Sequence, residues 1–342
     1  MALDSINPLN DPRVKHCYAN LNAIQYHYLL AEPPGGFWGT IFLIHGWPDL
    51  SMGWRNQIPF LLSLSYRIVC PDIIGFGRTA APPVSPPTSN PTTNIEYYSF
   101  KRAASDIAEL ARQLNCPKII LGGHDWGGAI VYRVSLWYPD LVSHIFSVCT
   151  PYKAPTSTYI PLEEVVKGWP HWTYQVVLAS GVVEEHIKTP ENIKQFLNAL
   201  YGGKGEKGEV GFSVTKGPIW ENLGKLRRTS LVGEEVLGWY VREYERNGVG
   251  ASVNWYRNRE VNFKDELQLT KKTINVPVLF IQGTRDEALP PSMSEGMEGL
   301  IPNLTRREVK TGHWALWEAP EKVNGFIAEW LRKVDRGEKS NL

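Results

Sequence analysis

The chain lacks long apolar runs. No window approaches the roughly 18 continuous apolar residues that a membrane-spanning helix needs, so none is expected. Met1–Pro8 has no positive stretch followed by an apolar core, and no secretory signal is expected. An excess of one charge is also missing: 36 basic residues face 35 acidic ones, a net charge of +1. With no dense basic stretch, neither nucleic acid nor an anionic membrane is an expected partner. Cysteine is sparse. Cys17, Cys70, Cys116 and Cys149 are scattered and form no C-x-x-C pair. Cys70 and Cys149 lie in or beside apolar runs and read as buried free thiols of a reducing compartment, which predicts a cytoplasmic location. The terminal Ser340-Asn341-Leu342 is similar to the peroxisomal S-K-L address, with Asn in place of the basic residue. That leaves a peroxisomal location as the alternative. No metal-ligand spacing occurs, and neither a metal nor an organic cofactor is expected.

What is present is enough for a large core. The 342 residues are 43% hydrophobic and 21% charged, which describes a globular chain. Val14–Asn20 and Ile24–Ala31 alternate around Leu21-Asn22-Ala23 and predict a β-hairpin. Short apolar runs at Thr40–His45, Arg67–Pro71, Lys118–Gly122, Leu141–Cys149 and Val276–Gln282 predict buried strands, and a further strand ends at Val309. Helical spacing over Ser99–Leu114, stopped by Pro117, and over Ala129–Tyr138 alternates with them. The pattern predicts an α/β fold with a mostly parallel sheet flanked by helices, binding residues lying at the carboxyl ends of its strands. Between Pro151 and Thr273 the alternation stops. Helices are expected at Leu162–Trp172, Thr173–Val183, Pro190–Tyr201, Gly233–Asn247 and Ala251–Asn258. The expected division is a core of 1–150 and 274–342 with a helical cap domain of 151–273 inserted between core strands. Ala81–Asn94, with five prolines, reads as a long extended loop.

Ile119–Gly128 runs from an apolar strand through Gly123-His124-Asp125-Trp126-Gly127 into a helix. This is the strand, sharp turn and helix context of the G-x-S-x-G nucleophile elbow, with Asp125 where the serine would stand. A carboxylate attacks a saturated carbon bearing a leaving group and becomes an ester itself. Releasing that ester calls for a histidine held by an acid, both arriving after the nucleophile in the chain. His313, in Lys310-Thr-Gly-His-Trp314, supplies the base. Asp286, just beyond strand Val278–Ile281, supplies the acid, with Glu287 as the fallback. In His45-Gly46-Trp47-Pro48 the proline has no N–H, so the backbone N–H groups of Trp47 and Trp126 are the expected oxyanion hole. A cis peptide at Trp47–Pro48 is expected.

These residues together, His45–Pro48, Gly123–Gly128, Asp286 and Gly312-His313-Trp314, resemble the soluble epoxide hydrolases of the α/β-hydrolase fold, and the similarity extends from about Val14 to Leu331. Asn254-Trp-Tyr256-Arg-Asn258 resembles that family's cap motif N-W-Y-R-N, and Trp172-Thr-Tyr174-Gln175 resembles the setting of its first cap tyrosine. The resemblance implies that Tyr174 and Tyr256 hydrogen-bond the epoxide oxygen, which needs stabilising and protonating as it becomes an alkoxide. It implies a hydrolase that converts a small lipophilic epoxide and water to a vicinal diol through an aspartyl ester, a detoxification activity. Trp126, Tyr152 and Trp314 are the expected substrate-binding residues of an aromatic pocket. The sequence leaves monomer and homodimer open. Arg78, in Gly75-Phe-Gly77-Arg78, departs from the small residue usual there.

Two other readings remain open at this level. Haloalkane or haloacid dehalogenation would use the same triad with halide donors in place of two phenols. A catalytically silent ligand receptor on the same fold would need none of the nucleophile, base, acid or phenols.

Overall fold

Asn22 and Ala23 both take positive φ, 44° and 70°, and the chain reverses there in two residues. That geometry suits the right-handed twist of paired strands and closes the hairpin of β1 (Lys15–Leu21) and β2 (Ile24–Ala31). The computed structural model describes residues 4–85 and 93–335. Part of the expected Ala81–Asn94 loop and the terminal Ser340-Asn341-Leu342 lie outside them.

Two units separate in the chain. The first comprises Met1–Ile73, Phe100–Pro155 and Asp265–Leu342. It holds β1 and β2 together with β3 (Gly39–Ile44), β4 (Tyr66–Pro71), β5 (Ile119–His124), β6 (Val142–Val148), β7 (Val278–Gly283) and β8 (Leu304–Val309). They form one sheet in the order β1-β2-β4-β3-β5-β6-β7-β8. All pairs from β4 to β8 are parallel, and only the first two pairs, β1 with β2 and β2 with β4, are antiparallel. Every residue of β5 and β7 is buried, as both faces of a helix-covered parallel sheet require. Each fully buried Phe, Ile or Leu in these strands contributes about 1.5–3 kcal/mol. Phe100–Gln113 buries Ala103, Ala104, Ile107, Leu110 and Ala111 along one stripe. Pro320–Asp335, a helix the sequence reading did not single out, buries Val323, Ile327, Ala328 and Leu331.

The register aligns the chemistry. Ile44 pairs with Gly123, His124 with Val148, Val148 with Ile281, and Val309 with Gly283. Consequently the segments beginning at His45, Asp125, Thr284 and Lys310 all leave the sheet at one edge, the carboxyl ends of the strands.

The second unit comprises Ile74–Ser99 and Thr156–Lys264. The sequence division drew the insertion at 151–273 and left Ile74–Ser99 in the core. This unit is mainly helical, with helices at Leu162–Gly168, Thr173–Ala179, Val182–His186, Pro190–Leu200 and Glu234–Val253, and a two-stranded ribbon of Phe212–Ser213 with Gly217–Pro218. The long helix is interrupted at Gly248, whose φ of 71° breaks the helical path, and it runs on to Val253. A helix at Arg259–Glu266 spans the junction of the two units and was not foreseen. No described helix is long and apolar enough to cross a membrane.

Candidate active site

Asp125 takes φ 53° and ψ −126° where β5 gives way to the helix Trp126–Trp137. A non-glycine residue there is strained, and such strain persists only where the surroundings enforce it. Two glycines make the turn sterically possible. A Cβ on Gly127 would strike the carbonyl oxygens of Ile44 and His45, and one on Gly46 would strike the Asp125 carboxylate itself. The strain is also tied down, since Thr150 Oγ1 donates to the Asp125 carbonyl at 2.7 Å.

Three chain-distant groups meet at this point. His313 Nδ1 is 2.8 Å from Asp286 Oδ2, and His313 Nε2 is 3.5 Å from Asp125 Oδ2. The other oxygen of Asp286 accepts the backbone N–H groups of Ala288 and Leu289, both at 2.9 Å. Asp286 is wholly enclosed, whereas Asp125 and His313 keep 11% and 18% of their side-chain surface open to a reactant. The second Asp125 oxygen, Oδ1, accepts the Trp47 backbone N–H at 2.7 Å. The Trp47–Pro48 peptide is cis, as expected.

The charges follow from this packing. Burial opposes a charged His313, but the carboxylates of Asp286 and Asp125 outweigh it and raise the imidazole well above its usual pKa. Burial likewise opposes an ionised Asp286, yet the imidazole and the Leu289 N–H hold it below the usual carboxylate range. The two carboxylates beside it thus favour the protonated form of the His313 imidazole.

In the helical unit Tyr174 and Tyr256 are both buried, and their rings meet edge to face with centroids 5.9 Å apart. Tyr174 also packs edge-on against Phe212, at 5.6 Å. Around Tyr256 the neighbouring motif residues anchor the chain. Trp255 Nε1 donates to the Ile74 carbonyl, Asn258 Nδ2 to the Tyr98 carbonyl, and Arg257 to Glu184 and to Asn254 Oδ1. In N-W-Y-R-N, the residues flanking Tyr256 thus tie the chain down on both sides of the phenol.

The profile of the α/β-hydrolase fold family matches residues 39–320. Epoxide hydrolase srdG of Neurospora crassa is 39% identical over 97% of this chain and 99% of its own length. The chain belongs to the epoxide hydrolases of the α/β-hydrolase fold. Bifunctional epoxide hydrolase 2 of Mus musculus is 29% identical over 95% of this chain, which spans 57% of that relative's length. A solved Vigna radiata epoxide hydrolase mutant superposes with a TM-score of 0.76 at 25% identity, covering 94% of this chain and all of the other.

For an epoxide hydrolase, the remaining expected residues are less uniform. Trp126 is half-buried, its ring tilted against Phe100 at 5.9 Å. Trp314 is buried, stacked on Trp317 at 4.4 Å and edge-on to His313 at 5.4 Å, so it walls that imidazole. Tyr152 is buried with its hydroxyl donating to the Lys272 carbonyl at 2.5 Å and its ring against Tyr132. Of the two acids the sequence offered, it is Asp286 and not the fallback Glu287 that holds the His313 imidazole, at 2.8 Å. The departure at Arg78 is accounted for within its own unit, where the guanidinium forms a two-pronged ion pair with buried Glu243 at 3.0–3.1 Å.

Sequence reasoning missed the supports behind His313. The His313 carbonyl accepts from His124 Nε2 at 2.8 Å and from the Cys149 thiol at 3.5 Å. Their signal was position. Both sit where adjacent strands beside the elbow end, β5 at His124 and β6 one residue before Cys149.

Proposed function

We propose that this epoxide hydrolase converts a small lipophilic epoxide and water to a vicinal diol through a covalent ester on Asp125. One observation carries the reading. A strained aspartate at a strand-to-helix turn has one oxygen on a backbone N–H and the other 3.5 Å from an imidazole backed by a buried carboxylate. Asp125 Oδ2 attacks an epoxide carbon, the ring C–O bond breaks, and Tyr174 and Tyr256 stabilise and protonate the departing oxygen. The helical segment 151–273 serves as the cap that supplies these phenols.

Ester formation removes the Asp125 charge. One of the two carboxylates that hold the proton on His313 is thereby lost, and the imidazole becomes free to act as a base. Oriented by Asp286, it deprotonates a water that attacks the ester carbonyl, while the backbone N–H groups of Trp47 and Trp126 hold the oxyanion. The Cγ–Oδ2 bond breaks, the diol departs with Oδ2, and the water oxygen stays on Asp125. Trp126, Tyr152 and Trp314 form aromatic walls that suit a lipophilic substrate. Balanced charge and scattered thiols support small-molecule partners and a cytoplasmic setting.

The test is His313→Gln incubated with styrene oxide. The expected result is a protein mass increased by one epoxide and localised to Asp125. Full diol production without any adduct contradicts the scheme, and halide release from haloalkanes in place of diol formation would establish the dehalogenase alternative.

A further inference from the structure

At the opposite ends of the strands from the triad, the first unit contains a cleft of about 1190 Å³. It opens among the first residues of β3, β4, β5 and β6, one strand length or about 20 Å from Asp125. Its lining combines three aromatic side chains, Phe37, Trp38 and Tyr66, with three cations, Arg67, Lys118 and Arg332, and it contains no aspartate or glutamate. In a chain with near-equal numbers of acids and bases, that is a local excess of one sign.

The cations are available. None of the three forms an ion pair among the described residues, whereas Arg13, Arg78, Arg102, Arg133 and Arg257 all do. Arg67 is also prearranged. Its Nε donates to Thr40 Oγ1 at 3.0 Å and its Nη2 to the Leu114 carbonyl at 3.2 Å, and the guanidinium lies 4.5 Å over the Phe37 ring. Nη1 makes no hydrogen bond among the described residues. Beside it Trp38 is 86% exposed and Phe37 45% exposed, although the Trp38 backbone is fixed by its N–H on the Ser65 carbonyl at 2.9 Å. An indole left in water on a fixed backbone, beside cations that form no ion pair among the described residues, has the composition of an amphiphile site, with an apolar wall and a charged rim.

We propose that this cleft binds a small amphipathic monoanion, an acyl or aryl body with a carboxylate head. The body lies against Trp38, Phe37 and Tyr66, and the carboxylate faces Arg67, Lys118 and Arg332. This site is independent of the catalytic reading, since it uses no residue of the triad or of the phenol pair.

The probe is dodecanoate, kept below its micelle concentration and titrated calorimetrically into the full chain. The double variant Lys118→Glu/Arg332→Glu alters two exposed side chains, and two reversed charge contacts should weaken binding by about tenfold or more. Epoxide turnover without dodecanoate should stay unchanged, which shows that the variant is folded. Trp38→Ala should weaken binding comparably, and dodecanol, the uncharged analogue, should bind wild type at least about tenfold more weakly than dodecanoate does. Equal dodecanoate affinity in wild type and the double variant places the ligand elsewhere and overturns the proposal. Attachment to vesicles of anionic phospholipid without binding of monomeric dodecanoate also overturns it, in favour of a membrane surface.

Discussion

The two units hold their reactive groups by different means. In the sheet unit, Asp125, His313 and Asp286 are fixed by charge and by backbone: a strained turn, a 2.8 Å imidazole–carboxylate contact, and N–H groups on both aspartates. In the helical unit, Tyr174 and Tyr256 are fixed by ring packing and by anchored neighbours, their centroids 5.9 Å apart. The difference suits the chemistry proposed for each group. A nucleophile and its base fail when misaligned by an ångström, because orientation supplies much of the rate. A phenol that donates one hydrogen bond tolerates rotation about its ring axis, and a second phenol can share the burden. Loss of function should therefore be all-or-none in the sheet unit and graded in the helical one.

The largest effect should come from Asp125→Ala, which removes the group that becomes the ester. Diol formation should fall by a factor on the order of 10⁴ or more with the circular dichroism spectrum unchanged. Asp286→Ala should come next, at roughly 10³-fold in turnover, because it leaves the imidazole without its orienting partner. It should also lengthen the lifetime of the ester, which rapid-quench mass spectrometry reads directly. Tyr256→Phe and Tyr174→Phe should each cost about 10–100-fold in ester formation and should accumulate no ester, the opposite signature. If either single phenylalanine variant is as inactive as Asp125→Ala, the graded behaviour assigned to the helical unit is wrong. Glu184→Gln, which weakens the anchor of Arg257 beside Tyr256, should lower turnover by less than about tenfold, since the pair acts through the backbone and is partly exposed.

The smallest effect concerns acid stability. His124 is buried, and burial together with the neighbouring His313 lowers its pKa to about 4. An unfolded histidine binds its proton near pH 6.5, so between about 6.5 and about 4 the unfolded chain takes up a proton that the folded one refuses. Stability should fall as pH drops through this window, by roughly 3 kcal/mol for this residue. Urea melts of His124→Gln should follow a flatter curve there, though buried His45, also lowered, leaves some slope. An unchanged slope would mean that His124 accepts its proton in the folded state.

Legibility in the sequence followed how local the determinant was. The sheet could be read because each strand is a short apolar run with its own boundaries, and the expected β-hairpin lies within a residue of β1 and β2. Asp125 and His313 stood out for the same reason, each inside a turn with a recognisable residue pattern. The helical unit was harder. Its helices were found, but Arg259–Glu266 was not, and the interruption at Gly248 split one helix into two in the reading. Amphipathic spacing there answers to packing partners that are distant in sequence. The supports of His313 were invisible for a different reason. His124 and Cys149 reach the His313 carbonyl across 189 and 164 residues, and no short pattern records such a contact.

The central claim is that Asp125 becomes an ester whose carbonyl, not the alkyl carbon, is attacked by water. A single turnover with enzyme in excess, in water labelled with heavy oxygen, tests it. The account predicts an unlabelled diol and one labelled oxygen in the peptide that carries Asp125. A labelled diol with an unlabelled Asp125 would mean that water opens the epoxide directly, and the covalent scheme would be contradicted.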